Sequence, residues 1–508
     1  MSTLRSNFSL DNSFVKIRDL GIYLLFLVAC VIGAYLAGHG KVVFVALYVS
    51  TLCGLLLLYK PDILLWFTLI SGLIIAGLAQ LYWPQLQIIR WVVSLLTLVI
   101  GALAIIEYAF KYKREKPSSL LWWIIAFFTV TLFSSFINFV DFNTFVFGVK
   151  GYFQVYGLFI ALALLAWDKG HINFIPKFLI LLGLIQLPFA LHQYFFIVPT
   201  RIGLGDGIVP EDVIAGTFGA SATGGGANAV LTALLLIVMS IVTALWKRGV
   251  LPISKLALLM LFLIIPIMLN LSKISLVYIV IAYIILFRDE IRDRPAIFVF
   301  GGVFAALMVS AILASYLLVS TRGSDSQGVE EFLNSAIEDN VSEGHGHGNL
   351  LLNRWTTITY WFGEQAASGD VGNTLFGYGA GASREGTGGV SSVSTLAQNK
   401  YPGVGIGLTA ISALLWDTGI VGMALVFAIF FSAYSACRTL TEYYHVDKWK
   451  ASIFHGLQVA IVIFTLSLFH KSSFVFHISY QVLLMLVFGY IAYWHKQMKN
   501  ETNLNLSK

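Results

Sequence analysis

Long apolar segments, separated by short polar breaks, recur along almost the whole chain. A helix needs about 20 apolar residues to cross a bilayer core of about 30 Å, and a sheet with open edges cannot lie in lipid because its backbone groups would stay unpaired. The pattern therefore predicts an all-α polytopic membrane protein with about fourteen transmembrane helices. The predicted spans are 21–37, 42–59, 63–82, 91–110, 120–137, 151–167, 178–196, 226–245, 256–271, 274–287, 296–318, 409–437, 451–469 and 474–494.

The composition agrees with this class. Of the 508 residues, 58% are hydrophobic and 11% are charged, and the mean hydropathy is +0.83. Soluble domains carry about 25% charged residues, so a soluble enzyme, a disordered protein and a disulfide scaffold are excluded. The cysteines Cys30, Cys53 and Cys437 lie in or at the end of apolar segments without Cys-x-x-Cys spacing, which indicates neither a metal site nor a disulfide framework. No small-residue cleavage site follows the first apolar segment, so we expect that segment to stay as a helix.

The distribution of lysine and arginine predicts the orientation, because these residues are retained on the cytoplasmic side. With the N-terminus in the cytoplasm, 22 basic residues fall on the cytoplasmic side and 10 on the outer side. An even number of spans then returns the C-terminus to the cytoplasm. The net charge of +6 follows from this topology and does not indicate a nucleic-acid partner.

Three segments follow from the spans. Residues 1–319 hold the first eleven helices and a glycine-rich outer loop at 197–225, residues 320–408 form a large outer (periplasmic) loop, and residues 409–508 hold the last three helices and a cytoplasmic tail. Long loops in compact bundles are commonly functional, so we expect the chemistry on the outer face. Within the large loop, the apolar positions of 349–365 have helical spacing and predict an amphipathic helix at the membrane surface; these are Leu351, Leu352, Trp355, Ile358, Trp361 and Phe362.

Three basic residues of the outer side stand out because each lies where a loop meets the membrane: Arg201, Lys273 and Arg354. A guanidinium binds phosphate oxygens in a bidentate manner, and an ammonium acts as a point charge. Together they predict a phosphorylated lipid or another polyanionic ligand. No dinucleotide-binding or P-loop motif is present, so no nucleotide and no cofactor are expected.

Several other polar residues have alternative interpretations. His192 and Gln193 lie near the outer end of a span, where polar groups usually face the bundle interior. Asp417 opens a span and is a candidate for helix packing or for the site. His345 and His347 alternate with glycines, a pattern that favours a solvated loop, while metal binding and proton transfer stay open.

Three features in order resemble the superfamily of O-antigen ligases and O-antigen polymerases, which are bacterial membrane glycosyltransferases. The first is Gln193, followed by the loop with Arg201 and Gly-Thr-Phe-Gly at 216–219. The second is NLSKISL at 270–276, with Lys273 where the family usually has arginine. The third is Arg354-Trp355, then LFGYGAG at 375–381, then LLWDTGIVG at 414–422. The resemblance covers roughly 190–425.

The resemblance implies a metal-independent transfer of glycan from undecaprenyl diphosphate at the outer face of the bacterial cytoplasmic (inner) membrane. Arg354, Arg201 and Lys273 would neutralise the leaving diphosphate, since oriented positive charge stabilises a developing anion. The further substrate-binding candidates are Arg384, Gly377 and Gly379. A base must deprotonate the acceptor hydroxyl, and the candidates for it are His192, Asp417, His345 and His347.

The two branches of the superfamily differ in their acceptor. The ligase branch typically has a His-Asn before the acid–x–Gly helix, but no histidine lies in 386–444 here. This favours a polymerase of O-antigen, capsule or exopolysaccharide repeats. The alternatives are a ligase acting on lipid A-core or another final acceptor, and a polytopic transporter or flippase. The implied partners are an undecaprenyl-diphosphate-linked oligosaccharide, membrane lipid, and a chain-length regulator and flippase of the same pathway.

Overall fold

The computed structural model describes residues 60–86, 89–110, 117–202, 209–220, 227–293, 348–385 and 395–506, together with isolated positions at 28–35 and 299–346. In these residues the chain is helical and forms no strand. The spans predicted at 21–37, 42–59 and 296–318 lie largely outside the described residues, and so do His345 and His347.

The helices follow one another in chain order with short connections. They are α1 (Pro61–Tyr82), α2 (Ile89–Phe110), α3 (Ser119–Ile137), α4 (Phe142–Phe153), α5 (Tyr156–Leu164), α6 (Lys169–Arg201), α7 (Asn228–Lys247), α8 (Ile253–Leu269), α9 (Ile274–Leu286), α10 (Arg288–Asp293), α11 (Thr356–Ser368), α12 (Val371–Phe376), α13 (Leu396–Asn399), α14 (Ala410–Tyr443), α15 (Lys448–His470), α16 (Ser473–Phe476) and α17 (Ile478–Leu506).

Eight helices of the described part are long and apolar enough to cross a membrane: α1, α2, α3, α6, α7, α14, α15 and α17. Each matches one of the predicted spans. The all-helical class is therefore confirmed for the described residues, and the long apolar helices support a membrane-embedded protein. The span count of fourteen, the orientation and the identity of the membrane stay predictions.

The span predicted at 151–167 differs in detail. It is a pair of helices, α4 and α5, bent by 48° at a break. The broken backbone is satisfied from neighbouring helices, since the Thr97 hydroxyl donates to the Gln154 carbonyl at 2.7 Å and the Gln481 amide donates to the Gly151 carbonyl at 2.6 Å. Irregular backbone is tolerated at membrane depth only when protein groups pair it in this way.

The spans predicted at 256–271 and 274–287 correspond to shorter helices. Helix α8 has 17 residues and α9 has 13. Their shared turn is held by Asn270, whose amide donates to the Thr232 hydroxyl at 2.9 Å on α7. The two helices therefore pack against the bundle, and their length alone does not show that each crosses a membrane.

One end of the bundle, which we call the loop end, carries residues 348–385. Helix α15 ends there and α14 begins there, since the Ala410 N–H donates to the Lys471 carbonyl at 3.2 Å. Helix α7 also begins there, since the Lys471 ammonium contacts the Asn228 side chain at 3.0 Å. The opposite end of the bundle is where α7, α9 and α14 end and where α8 and α15 begin. It carries the basic residues of 247–255, 288–292 and 438–450. That separation agrees with the predicted orientation, although the compartment that each end faces stays a prediction.

The helix predicted at 349–365 begins later, at Thr356, because the Asn353 side chain accepts hydrogen bonds from the backbone of the turn before it. Its buried side chains include Ile358 and Trp361, and its Thr357 hydroxyl lies 3.3 Å from the Ser412 hydroxyl of α14. Phe362 is 51% exposed. The apolar face of α11 therefore packs on α14, and Leu351 and Leu352 lie in the preceding turns rather than on the helix.

Candidate functional site

The turn at 215–219 is bound to α6 by two buried glutamines. The Gln193 side-chain oxygen accepts from the Ala215 and Gly216 N–H groups, at 3.0 and 2.8 Å. The Gln186 side-chain oxygen accepts from the Thr217 N–H at 2.8 Å. Two parts of the first motif, Gln193 and Gly-Thr-Phe-Gly, are thus one structural unit at the loop end.

His192 points away from that unit. Adjacent residues of a helix are rotated by about 100° from each other, so Gln193 faces inward while His192 is exposed. The His192 ring contacts the Tyr82 hydroxyl at 3.0 Å. The expectation that both polar residues face the bundle interior is therefore wrong for His192, which lies on the outer surface of the helix, a poor position for a base.

Asp417 is fully buried and holds the large loop on the bundle. One carboxylate oxygen accepts from the Tyr152 hydroxyl at 2.9 Å and from the Gly381 N–H at 3.2 Å, and the other accepts from the Ser383 N–H at 2.7 Å. These donors come from α4 and from residues 381–383. The geometry gives Asp417 an anchoring role, because both oxygens are engaged within the protein.

Gly377 and Gly379 belong to the same anchor. The Gly379 N–H donates to the Asp417 carbonyl at 3.0 Å, and the Tyr378 N–H donates to the Trp416 carbonyl at 2.8 Å. A Cβ on Gly379 would lie 2.3 Å from the Val140 side chain. The backbone amides of this turn therefore bind protein acceptors instead of facing a cavity. This arrangement does not support the predicted diphosphate contact at Gly377 and Gly379.

A charged network lies where α6, α7 and α15 meet at the loop end. Arg201 is buried, and the carboxylates of Asp212 and Glu211 act on it electrostatically. Asp212 accepts from the Asn228 amide at 2.8 Å, and the Lys471 ammonium donates to the Asn228 oxygen at 3.0 Å. Asn228 thus links the carboxylate to the ammonium, and Asp212 lies between two cations.

Arg354 joins this network from the large loop. Its Nε donates to the His470 carbonyl at 2.8 Å, and its Nη1 contacts the Asn340 side chain. Burial lowers the pKa of Lys471; the neighbouring Asp212 raises it, and the neighbouring Arg354 lowers it. Arg354 and Lys471 are therefore like charges held near each other, and such a pair favours the binding of an anion.

Lys273 is the third predicted cation. It is half-buried and directly precedes α9, next to Asn270 of the turn that contacts the Asn228 carbonyl at 3.2 Å. The structure thus brings Arg201, Arg354 and the Lys273 turn to the same end of the bundle, as the motif order predicts.

A cavity of about 540 Å³ lies beside this network. Its wall holds the cations Arg90, Lys150 and Arg384 and the acid Glu385, together with glycines, apolar residues and two neutral polar residues. Arg90 and Arg384 act on Lys150 electrostatically, so the three charges are near neighbours. Within the described part of the chain none of them forms an ion pair.

Aromatic rings hold Lys150 and Arg384 in place, and Arg90 donates a hydrogen bond to the Phe476 carbonyl. The Lys150 ammonium lies 3.3 Å from the centre of the Trp91 ring, and the Arg384 guanidinium lies 5.5 and 5.9 Å from the rings of Phe147 and Phe476. Such cation–π contacts hold a cation without neutralising it. Burial also lowers the pKa of Arg384, although an arginine remains charged at neutral pH.

His477 is near both the network and the cavity, since Lys471 and Arg90 each act on it electrostatically. Its Nδ1 accepts from the Tyr480 N–H at 3.2 Å, and its ring also hydrogen-bonds the Phe218 backbone. Burial lowers the pKa of His477 to about 3, and the neighbouring charges of Arg90 and Lys471 contribute. A neutral imidazole with both nitrogens engaged connects α17 to the 215–219 turn, so its role here is structural.

The sequence pattern misses several of these residues. Arg90, Lys150 and Lys471 are among the ten outer basic residues, and Asp212 is among the acids of the shorter loop. The retention rule for positive charge singles out that group, but spacing along the chain cannot show which members converge. Among the described residues, no cluster of three or more histidine, cysteine or acidic side chains could hold a metal ion.

No known family model matches the chain, and no curated protein sequence matches it.

Proposed function

We propose that the chain is a membrane glycosyltransferase that polymerises lipid-linked polysaccharide repeats, using undecaprenyl diphosphate as the leaving group. The observation that carries the proposal is the charged network, in which Arg354 and Lys471 are held near each other and Asp212 lies between Lys471 and Arg201. A diphosphate would relieve the repulsion between the two cations, and it is the group that such a transfer must stabilise.

The reaction can be written in terms of these side chains. The acceptor hydroxyl oxygen forms a bond to the anomeric carbon of the donor glycan while the bond from that carbon to the diphosphate oxygen breaks. The diphosphate leaves with the bonding electron pair, and Arg354, Lys471 and Arg201 neutralise its developing charge. The hydroxyl proton goes to a base, and we assign this role to Asp212, which is half-buried within the network.

The choice of a polymerase over a ligase is supported by the sequence. No histidine occurs in 386–444, where the ligase branch has its His-Asn. The acceptor is then a second lipid-linked repeat at the same membrane face.

The test compares the chain lengths of surface glycan, and the lipid-linked intermediates, in a strain that lacks the gene. The strain is complemented with the wild-type chain, Arg354→Ala or Arg438→Ala. Arg438 is the matched control because it is 62% exposed, pairs with Glu442, and lies near the other end of α14. We expect Arg354→Ala to lose the ladder of long chains and to accumulate single lipid-linked repeats, and Arg438→Ala to behave as wild type. Immunoblots of the membrane fraction confirm that each variant is inserted.

Three results would overturn parts of the proposal. A normal ladder from Arg354→Ala removes the role assigned to that arginine. Long lipid-linked chains that fail to reach a final acceptor in the strain lacking the gene indicate a ligase. If both the lipid-linked glycan and the surface glycan of that strain are normal, the protein is not the glycosyltransferase proposed here, and transport is favoured.

A further inference from the structure

The cavity lined by Arg90, Lys150 and Arg384 is separate from the charged network. None of the network residues lines the cavity, although His477 is near both, since Arg90 and Lys471 each act on it electrostatically. The network contains its own acids, Asp212 and Glu211, whereas the acid at the cavity, Glu385, accepts a hydrogen bond from the Gly405 N–H at 2.8 Å. Among the residues that the structure describes, the cavity wall therefore carries three cations and one carboxylate, an excess of positive charge.

The three cations are held in place, which distinguishes the cavity from a random group of surface charges. Arg90 donates from Nη2 to the Phe476 carbonyl at 3.2 Å. Lys150 is fixed over Trp91, and Arg384 is fixed beside Phe147 and Phe476. Because these fixed cations outnumber the one carboxylate of the wall, they repel one another, and an anionic ligand gains affinity from relieving that repulsion.

Size and charge indicate the class of ligand. A volume of about 540 Å³ is within the range of small-molecule sites. Three cations match the two to three negative charges of a diphosphate, and guanidinium groups bind its oxygens in a bidentate manner. The cavity therefore fits a diphosphate better than a single carboxylate.

The cavity wall also indicates that the diphosphate is attached to a lipid. Leu408, Val475 and Phe476 give the wall an apolar part. Trp91, under the Lys150 ammonium, is 42% exposed on the outer surface of α2. Tryptophan at the surface of a membrane helix is typical of the headgroup region. The cations thus lie beside a surface that lipid can reach, so a chain attached to the diphosphate has a path into the bilayer.

We propose that this cavity binds the diphosphate of a second lipid-linked molecule, the acceptor of the transfer. The inference rests on the proposed function, because it assigns the donor to the charged network and the acceptor to the cavity. A polymerase joins two substrates that carry the same diphosphate lipid, so it needs two sites of this kind on one face. A ligase whose acceptor carries another headgroup does not.

The experiment measures how many lipids the full chain binds. The purified protein in nanodiscs of zwitterionic lipid is titrated with undecaprenyl diphosphate, and the stoichiometry is read by native mass spectrometry. We compare wild type with Arg90→Gln/Lys150→Gln/Arg384→Gln, with the single variant Lys150→Gln, and with Arg438→Gln as the matched control. Melting curves establish whether each variant is folded. If the triple variant does not fold, Lys150→Gln still tests the inference.

We expect two lipids on wild type and on Arg438→Gln, one lipid on the triple variant, and at least a tenfold weaker second binding step for Lys150→Gln. One lipid on every variant overturns the inference and leaves the proposed function standing. If wild type binds no lipid, both the inference and the proposed function are contradicted. Two lipids on a folded triple variant also overturn the inference.

Competition distinguishes the source of the phosphate. We expect inorganic pyrophosphate and phosphatidylglycerol each to displace the second lipid only at concentrations at least tenfold above that of undecaprenyl diphosphate. If pyrophosphate competes equally, the cavity is a site for a free anion and the acceptor assignment fails. If phosphatidylglycerol competes equally, the cavity is a general site for anionic lipid and the assignment fails as well.

Discussion

Gly377 and Gly419 pack backbone against backbone and join the large loop to α14. A Cβ on Gly377 would lie 2.5 Å from the Asp417 carbonyl carbon, and a Cβ on Gly419 would lie 2.4 Å from the Leu375 carbonyl. Both residues have a positive φ with ψ near 180°, at 71° and −169° for Gly377 and 65° and −167° for Gly419. That region of backbone space is essentially limited to glycine.

We therefore expect Gly419→Ala to destabilise the protein by about 2–5 kcal/mol, through backbone strain together with the clash. The measurement is thermal unfolding of the purified chain in detergent. Gly363→Ala is the control, because Gly363 is on an exposed helical position with nothing within 4 Å of the added Cβ. An unchanged melting temperature for Gly419→Ala would contradict the packing described here.

Asp417 provides a test that separates an anchor from a base. Asparagine keeps the shape but places an NH₂ group against the N–H of Gly381 or of Ser383, whereas Tyr152→Phe removes a single hydrogen bond. We expect Asp417→Asn to cost about 2–4 kcal/mol and Tyr152→Phe about 1 kcal/mol, with glycan transfer falling only as folded protein is lost. Activity per folded molecule, measured for both variants, checks this expectation. A stable but inactive Asp417→Asn would restore the catalytic role.

The hydrophobic pattern predicts those helices whose stability depends on length and apolar content alone. Helix α3, predicted at 120–137, is observed at Ser119–Ile137. The break between α4 and α5 was not predictable in the same way, because it depends on Thr97 and Gln481, which are 57 and 330 positions from the carbonyls they pair. The hydrophobic pattern of a short segment contains no information about partners that are so distant in sequence.

The same limit applies to the site. Gln193 and the 216–219 turn are near in sequence and belong to one motif, so a contact between them could be inferred from the sequence. Arg90 and Arg384 come from different segments, and only the folding of the loop onto α4 brings them together. Because lysine and arginine are retained on the cytoplasmic side, the basic residues predicted on the outer side were candidates for a function there. This retention rule could not separate the cavity from the network.

His477 predicts how stability depends on pH. Its pKa is lowered to about 3 in the folded protein, mainly by burial, with Arg90 and Lys471 as the facing charges. The unfolded chain titrates near the ordinary value of about 6.5. Between these two values the unfolded state binds more protons, so the stability contributed by neutral His477 is complete above about pH 6.5 and is lost as pH falls towards 3.

We expect His477→Asn to flatten that dependence. Asparagine keeps an oxygen that can accept from the Tyr480 N–H at the start of α17, but it does not titrate. The measurement is the melting temperature of both proteins at intervals from pH 4 to pH 8. Equal slopes for wild type and variant would show that other groups dominate the acid sensitivity.

Asp212 gives the sharpest test of the proposed chemistry. Asparagine keeps an acceptor for the Asn228 amide, so the hydrogen bond observed at 2.8 Å can persist, while the negative charge between Arg201 and Lys471 is removed. If Asp212 takes the acceptor proton, Asp212→Asn lowers the rate of chain elongation by about 10²–10⁴-fold. Because the variant leaves more net positive charge in the network, binding of undecaprenyl diphosphate should be unchanged or tighter. Elongation in membranes and lipid binding in nanodiscs are measured on the same preparation. A parallel loss of both would instead assign Asp212 to the architecture of the network, and undiminished elongation would show that the base is another group.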